Sequence, residues 1–246
     1  FIKFKGDITK KSDVKKWLLN NHINIIVHLA AIVPTHIVKK EINYANKVNY
    51  VGTKLLVNEA IKYNQIKWFF YSSTSHVYKF SKNKISEKGK IKPISKYGLT
   101  KLKGEKYIQK KLYKKIPFCI GRIFSFTSIH QKKPFVIPSI ISKARSKKKI
   151  TLFNNTNHLR DFLYVSDVCR AIKVLMNKKS TGIYNIGSGN KTSISNVIKF
   201  IFTKYKKNYF IKNISKQTCL VSNNSKIKKL NWRPTKNIKA IIKELL

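Results

Sequence analysis

Acidic residues are scarce in this sequence: its 246 residues include 53 Lys and Arg but only 9 Asp and Glu, for a formal net charge of +44. Such an excess usually indicates a nucleic-acid or other anionic partner. Here the cations are spread along the whole chain rather than gathered in one tail or stripe, and all but five are lysines. The charge therefore does not predict specific nucleic-acid binding, although a basic cleft would attract a diphosphate.

Cysteine is also scarce, since only Cys119, Cys169 and Cys219 occur, far apart and without a C-x-x-C pair. This spacing argues against both a disulfide framework and a zinc site. The six histidines show no H-x-x-x-H spacing either. We therefore expect no metal, and we expect structural thiols in a reducing cytoplasm.

Long apolar runs are missing as well. The longest, such as the stretch over 23–33, fall well short of the ~20 residues needed to cross a bilayer, and no signal peptide is visible. We expect a cytoplasmic protein with no membrane partner. Because the chain begins with Phe1 and its only methionine is Met176, we also expect that it lacks its natural start.

What is present is a regular alternation of strand and helix patterns. Apolar, β-branched runs predict strands over 23–31, 67–73 and 118–125, and apolar residues at helical spacing predict helices over 43–63 and 95–113. Strands alternating with helices of this length indicate βαβ units and a parallel sheet. The prediction is an α/β, Rossmann-like, doubly wound domain over 1–134.

In the second half, the strand and helix patterns are shorter and alternate less regularly. This half predicts a smaller α/β lobe over 135–246, mainly for substrate binding and partly interleaved with the sheet domain. Its predicted elements are a helix after Pro138 within 135–146, a strand over 149–154, an extended segment that turns helical near Ser166, a strand and glycine turn over 182–190, and a helix over 193–205 capped by Ser193 or Ser195.

Hydroxyl side chains, from Ser72 through Ser75, follow the apolar run over 68–71 in the strand predicted over 67–73. Such a row has two explanations. Ser and Thr commonly end strands because their side chains bond nearby backbone, but the carboxyl end of a strand is also where open α/β sheets bind ligands.

Tyr97 and Lys101, four residues apart on a predicted helix, share one face. An ammonium beside a phenol lowers its pKa and favours proton transfer, although both residue types are common here.

The order of several motifs resolves these alternatives, because together they resemble the extended short-chain dehydrogenase/reductases, specifically the NAD-dependent epimerase/dehydratase branch acting on nucleotide sugars. The resemblance covers nearly the whole chain and rests on GDI (6–8), HLAA (28–31), NYVGT (49–53), SSTSHVY (72–78), YGLTK (97–101), RDFLYVSDV (160–168) and YNIGSG (184–189).

The resemblance implies a role for each matching residue. Thr74, Tyr97 and Lys101 are the implied catalytic residues: Tyr97 transfers a proton, Lys101 lowers its pKa and holds the nicotinamide ribose, and Thr74 positions the substrate oxygen. Thr74, Ser125 and Arg160 are implied to bind substrate, with Arg160 on the diphosphate of a nucleotide sugar. NAD or NADP is implied to contact Asp7, Ile8, Leu29, Ala30, Ala31, Asn49, Tyr97, Lys101 and Phe124.

The protein is expected to be a homodimer. Asp161 and Asp167 also fall within motifs, although Asp167 could equally serve a helix N-terminus.

Departures from the family pattern qualify what the resemblance implies. The Gly-rich fingerprint that cradles a pyrophosphate is absent, so we expect it before residue 1 and expect the chain alone to be inactive. Ser75 and His76 stand where dehydratases carry Asp-Glu. Ser125 replaces a common Asn, and the stretch from Arg122 to Arg160 is short. These features favour a 4-keto-sugar reductase; the alternative is a 4-epimerase resembling UDP-glucose 4-epimerase, and a remote one is an inactive fragment or binding protein.

Overall fold

The structure is a computed structural model that describes residues 2–147 and 150–246. Its α-helices are α1 (Lys11–Asn20), α2 (Thr35–Lys40), α3 (Ile42–Asn46), α4 (Thr53–Tyr63), α5 (Lys96–Leu112), α6 (Val136–Ala144), α7 (Val165–Asn177), α8 (Ile194–Lys204), α9 (Ser225–Lys228) and α10 (Ile238–Leu245). A π-helical segment, Lys47–Gly52, joins α3 to α4, and a 3₁₀ turn occupies Ser75–Val77.

Its strands are β1 (Ile25–His28), β2 (Trp68–Thr74), β3 (Phe118–Ile123), β4 (Ser125–Thr127), β5 (Ile150–Asn154), β6 (Leu159–Arg160), β7 (Phe162–Tyr164), β8 (Gly182–Ile186), β9 (Thr192–Ser193), β10 (Asn208–Lys212) and β11 (Cys219–Leu220). The strand predicted over 149–154 is thus observed from Ile150, with Lys149 outside the described residues. None of the helices in the described ranges is long and apolar enough to span a membrane.

The chain folds as two compact units. The first comprises Phe1–Lys79, Lys90–Arg122 and Lys173–Tyr184, and the second comprises Phe80–Gly89, Ile123–Ile172 and Asn185–Leu246. The division into domains at residue 134 stays a prediction.

The first unit is built on a sheet with the strand order β1-β2-β3-β8, in which β1 and β2 pair in parallel. The body of β2 is buried on both faces, as its continuous apolar run predicts. Helices α1, α4 and α5 cover the sheet and contribute apolar side chains to one core, including Val14, Leu18, Leu56, Val57, Ile108 and Leu112.

The helix predicted over 43–63 is interrupted in the structure. Its middle is the π-helical segment Lys47–Gly52, which adds a residue to one turn and whose buried residues are Asn49 and Gly52. A Cβ on Gly52 would lie 2.9 Å from Cγ2 of Ile8, so the helix approaches the 6–8 loop more closely than any side chain allows. The helix ends with Asn64 in the left-handed conformation (φ 54°), which Asn tolerates well.

The second unit combines small sheets with three packed helices. β5 pairs in parallel with β10, β4 with β7, and β6 lies between β11 and β9. Helices α6, α8 and α10 form its core, to which Ile141, Phe153, Ile201 and Ile242 contribute. The predicted capping of α8 by Ser193 is observed, because its side chain accepts a hydrogen bond from Asn196 N at 3.0 Å. Ser195 lies inside the helix and bonds Thr156 instead.

Candidate active site

The hydroxyl row at the end of β2 lies beside helix α5, and two glycines make this approach possible. A Cβ on Gly104 would lie 2.3 Å from Oη of Tyr71, and one on Gly98 would lie 2.3 Å from the carbonyl oxygen of His76. Neither distance is compatible with a side chain. The start of α5 is further fixed by Ser95, whose hydroxyl accepts a hydrogen bond from Gly98 N at 3.0 Å.

This packing brings Thr74 and Tyr97 together, and their side chains are hydrogen-bonded. Thr74 Oγ1 also accepts a bond from His76 N at 3.2 Å, which orients the hydroxyl at the strand end. The His76 ring stands edge-on to the Tyr97 ring, with centroids 6.0 Å apart. Of the four hydroxyls that follow the strand body, Thr74 is the one bonded to the phenol.

The ionisation of Tyr97 differs from the expectation. Burial raises the pKa of Tyr97 well above its ordinary value, and the hydrogen bond from Thr74 offsets only part of this effect. The net shift is opposite to the lowering that the spacing suggested, because desolvation of the phenolate is the largest cause. Tyr97 is therefore a neutral hydroxyl at physiological pH, ready to donate a proton.

Lys101 is almost completely buried, with 1% of its surface exposed. Its Nζ lies 4.1 Å from the centroid of the Tyr71 ring, a cation–π contact. Burial lowers the pKa of Lys101 to about 7, while the carboxylate of Glu105 opposes that shift. Among the described residues, this ammonium forms no ion pair. A buried lysine without a directly paired anion fits a site that receives a polar ligand.

Asn49 connects the end of β1 to helix α5. Its Oδ1 accepts from Ile32 N at 2.7 Å, and its Nδ2 donates to Ile32 O at 3.0 Å and to Thr100 Oγ1 at 3.1 Å. Thr100 in turn donates to the carbonyl oxygen of Tyr97 at 2.8 Å. Asn49 is fully buried, so it acts here by positioning the segment after β1; its contact with a cofactor stays a prediction.

The other residues predicted to meet a cofactor in the first unit are accessible. Leu29 is 55% exposed although it is apolar and follows a buried strand, and Ala30 is exposed beside it. Asp7 is exposed, and its Oδ1 accepts from the backbone N and the hydroxyl of Thr9, each at 2.8 Å. An open apolar strand end and a carboxylate oriented by Thr9 each fit contact with a nucleotide cofactor, and Lys101 fits its ribose hydroxyls.

Arg160 lies in the second unit, at the end of β6. Ser125 also belongs to this unit, whereas Thr74, the third substrate-binding candidate, belongs to the first. Its guanidinium donates to the carbonyl oxygens of Leu159 and Thr218 at 2.9 and 3.2 Å and to Thr218 Oγ1 at 3.1 Å. It also lies over the Phe80 ring at 5.5 Å. No ion pair among the described residues includes Arg160, so its charge is available to an anion. Ser125 begins β4 and is half-buried, whereas Phe124 is buried.

The two motif carboxylates of the second unit are structural. Asp161 is fully buried and accepts hydrogen bonds from Ser188, Gly189 and Ser222. Asp167 lies in the first turn of α7, but its carboxylate accepts from the backbone N and hydroxyl of Thr235. Asp167 thus holds the C-terminal segment in place through its hydrogen bonds to Thr235, and does not only place a negative charge at the start of α7.

A buried polar network next to Thr74 and Lys101 was not predicted. Glu105 binds Arg122 through Nη2 at 2.7 Å and accepts a short hydrogen bond from Ser73, and Arg122 donates to Tyr78 Oη at 2.9 Å. All four side chains are at most 3% exposed. The position of Glu105, four residues after Lys101 on the same helix, was the signal in the sequence that could have identified it.

The fold and this arrangement define a Rossmann-like α/β protein whose candidate site combines Thr74, Tyr97 and Lys101. The model of the NAD dependent epimerase/dehydratase family matches residues 3–187, and the chain belongs to that family. The predicted family and the Rossmann-like fold with a parallel sheet are both confirmed.

Individual relatives agree with this assignment. The chain is 29% identical to YtcB of Bacillus subtilis (strain 168), named an uncharacterized UDP-glucose epimerase, over 73% of this chain and 58% of that protein. It is 30% identical to human dTDP-D-glucose 4,6-dehydratase over 79% of this chain and 56% of that protein. The chain therefore spans little more than half the length of these relatives.

A solved structure is also similar. UDP-glucuronic acid 4-epimerase from Bacillus cereus, in complex with UDP-glucuronic acid and NAD, superposes with a TM-score of 0.86 at 25% identity, covering 98% of this chain and 80% of that one.

Proposed function

We propose that the protein containing this chain is an NAD(P)-dependent enzyme acting at C4 of a nucleotide-diphosphate sugar, and that it reduces a 4-keto sugar. The observation that carries this proposal is the hydrogen-bonded pair of Thr74 and Tyr97, whose phenol is held neutral beside the buried Lys101. A ketone that accepts a hydride becomes an alkoxide and needs a proton at once. Tyr97 is protonated at neutral pH, and because a phenol is a stronger acid than the alcohol being formed, it can donate that proton.

The proposed roles follow from the contacts. Thr74 hydrogen-bonds the reacting oxygen and holds it beside Tyr97. Tyr97 donates its proton to that oxygen, and Lys101 stabilises the resulting phenolate with its charge. The nicotinamide, when bound, supplies the hydride chemistry. Asp7, Ile8, Leu29, Ala30 and Ala31 are the proposed contacts for the rest of the cofactor.

Arg160 is the proposed anchor for the diphosphate. Its planar guanidinium can bind phosphate oxygens with two parallel hydrogen bonds, which lysine cannot do. The relatives named above support a nucleotide sugar as the substrate class, since their names refer to UDP-glucose and dTDP-D-glucose. A homodimer in the cytoplasm stays part of the prediction.

A 4-epimerase is the second candidate, and the similarity to a UDP-glucuronic acid 4-epimerase favours it. An epimerase first removes a proton from the sugar hydroxyl, so it needs the Tyr97 phenolate. The raised pKa of Tyr97 opposes that first step. Ser75 and His76, in place of Asp-Glu, give less support to the dehydration performed by other relatives.

The test is a Tyr97→Phe variant of the complete protein, assayed with a UDP-4-keto-hexose and NADH or NADPH. Loss of the proton donor should lower kcat by about 10²–10⁴-fold, while the affinity for UDP stays unchanged. Tyr113→Phe is the matched control, because Tyr113 lies at the end of the same helix and is 66% exposed. Activity of Tyr97→Phe within tenfold of the wild type would refute the assignment.

The same assay separates the two candidates. Stoichiometric oxidation of the reduced cofactor by the 4-keto sugar supports the reductase. Interconversion of UDP-glucose with UDP-galactose, without net change in cofactor absorbance, would contradict it and establish the epimerase.

A further inference from the structure

Glu105 occupies the centre of a charge network behind the candidate active site. It lies on α5 with none of its surface exposed, and both carboxylate oxygens are used. Oε1 accepts from Ser73 Oγ and from Arg122 Nε at 3.0 Å, and Oε2 accepts from Arg122 Nη2 at 2.7 Å. Arg122 thus binds Glu105 in a bidentate pair, with one hydrogen bond to each carboxylate oxygen.

The network joins three elements of the first unit. Ser73 directly precedes Thr74 on β2, Arg122 lies on β3, and Glu105 lies one helical turn after Lys101 on α5. Arg122 also stacks on the Tyr78 ring at 4.8 Å, just after the 3₁₀ turn that follows Thr74. The carboxylate of Glu105 therefore fixes the strand end that carries Thr74 against the helix that carries Tyr97 and Lys101.

The surroundings of Lys101 contain little negative charge. The groups that face it or act on its charge are His28 on β1, Tyr71 on β2, Tyr97 and Glu105 on α5, and, behind Glu105, Arg122 on β3. His28 is neutral because burial lowers its pKa to about 3, and burial keeps both tyrosines protonated by raising their pKa values. Glu105 is thus the anion that favours the charged form of Lys101.

We infer that Glu105 is a positioning residue of this site, which clamps the Thr74 end of β2 onto helix α5 and favours the charged form of the Lys101 side chain. The inference rests on the proposed function for its catalytic meaning. The effect of Glu105 on the pKa of Lys101 can nevertheless be measured in the protein without any substrate. Burial and Glu105 act on Lys101 in opposite directions, and they leave its pKa at about 7. Removal of Glu105 leaves burial unopposed.

The decisive measurement is the titration of Lys101 by NMR in the complete protein with isotopically labelled lysine and no substrate, its signal being assigned by its absence from Lys101→Met. The wild-type midpoint should be about 7. Glu105→Gln should lower it by about 1 pH unit or more, since a neighbouring opposite charge shifts a pKa by about 1–3 units. An unchanged midpoint in Glu105→Gln would overturn the inference.

Three further variants separate charge from geometry. Glu105→Asp keeps the charge and should retain the wild-type midpoint, while kcat falls because the shorter side chain no longer holds Ser73. Ser73→Ala removes a neutral contact and should leave the midpoint unchanged. If Glu105→Gln does not fold because Arg122 is left unpaired, Glu105→Gln combined with Arg122→Met removes that charge and should still lower the midpoint. A midpoint shift in Ser73→Ala as large as that in Glu105→Gln would refute the charge argument.

Activity distinguishes this inference from the proposed function. With a UDP-4-keto-hexose, the alkaline limb of kcat/KM should move to lower pH in Glu105→Gln together with the NMR midpoint. A shifted midpoint in a protein without such activity would support the role of Glu105 and refute the proposed function. Activity with an unshifted NMR midpoint would support the proposed function and refute the role of Glu105.

Discussion

Asp161→Asn should destabilise the second unit strongly, because the wild-type carboxylate accepts five hydrogen bonds in a fully buried position. Oδ1 accepts from Ser188 N at 2.7 Å and Ser188 Oγ at 2.6 Å. Oδ2 accepts from Gly189 N at 3.0 Å and from Ser222 N and Oγ at 3.0 and 2.5 Å. The segments that carry these donors are held together by this one side chain.

The magnitude follows from what an amide can accept. In the better of its two orientations, the NH₂ group of the introduced asparagine replaces Oδ1, and the Ser188 hydroxyl can rotate to accept from it. Ser188 N is then left without an acceptor, which costs about 1–3 kcal/mol in a buried position. The remaining bonds also lose the extra strength that an ionised acceptor gives. We expect a total loss of about 2–4 kcal/mol.

The assay is urea unfolding followed by tryptophan fluorescence, to which Trp232 of the second unit contributes. Asp7→Asn is the matched control, because Asp7 is exposed and its carboxylate bonds the nearby Thr9. Its loss should be below about 0.5 kcal/mol, as for most surface substitutions. Equal midpoints for Asp161→Asn and Asp7→Asn would refute the argument that the buried hydrogen bonds stabilise this unit.

Two more predictions concern the first unit. In an open helix, a Gly→Ala substitution stabilises by about 1 kcal/mol. Gly104→Ala should instead lower the Tm, because the new Cβ would lie 2.3 Å from Tyr71 Oη. Adding Tyr71→Phe should restore part of the lost Tm, and a higher Tm for Gly104→Ala alone would contradict the steric argument. His28 has its pKa lowered to about 3 by burial, so between pH 6.5 and 3 the unfolded chain binds a proton that the folded chain does not, and stability falls as the pH falls. At pH 5 this difference lowers the free energy of unfolding by about 2 kcal/mol. In urea unfolding between pH 7 and 5, His28→Gln should therefore reduce the dependence of stability on pH. An unchanged pH dependence in this variant would disprove the role of His28.

The sequence predicted the parts of the molecule that depend on local pattern. The buried run at 68–71 predicted β2, and the helical spacing of Tyr97 and Lys101 placed both on α5, because a period of two or 3.6 residues is a local property. Ser193 was recognised as a helix cap for the same reason. The π-helical turn at 47–52 was not predicted, because one extra residue hardly disturbs the apolar pattern around it.

What the sequence could not predict depends on burial and on contacts between distant residues. The spacing of Tyr97 and Lys101 suggested a lowered tyrosine pKa, yet the pKa is raised, because desolvation depends on the whole surrounding fold. The pair of Glu105 and Arg122 joins residues on different elements. Without the sheet order there was no reason to connect them, although each residue stands next to a motif.

The interior uses much of the little negative charge that this chain has. Glu59, Glu105, Asp161 and Asp167 are buried, so the exposed surface is more positive than even the overall balance of +44 indicates. Such a field attracts any polyanion and weakens as salt screens it, and it therefore cannot select a nucleotide sugar. Selection requires a fixed donor geometry, which Arg160 has because Thr218 and the Leu159 carbonyl hold its guanidinium in place. Arg160→Lys keeps the charge but not that geometry. If long-range charge alone governed binding, this variant would bind UDP as well as the wild type does; by our reasoning it binds more weakly at every salt concentration, while the salt dependence of binding stays the same.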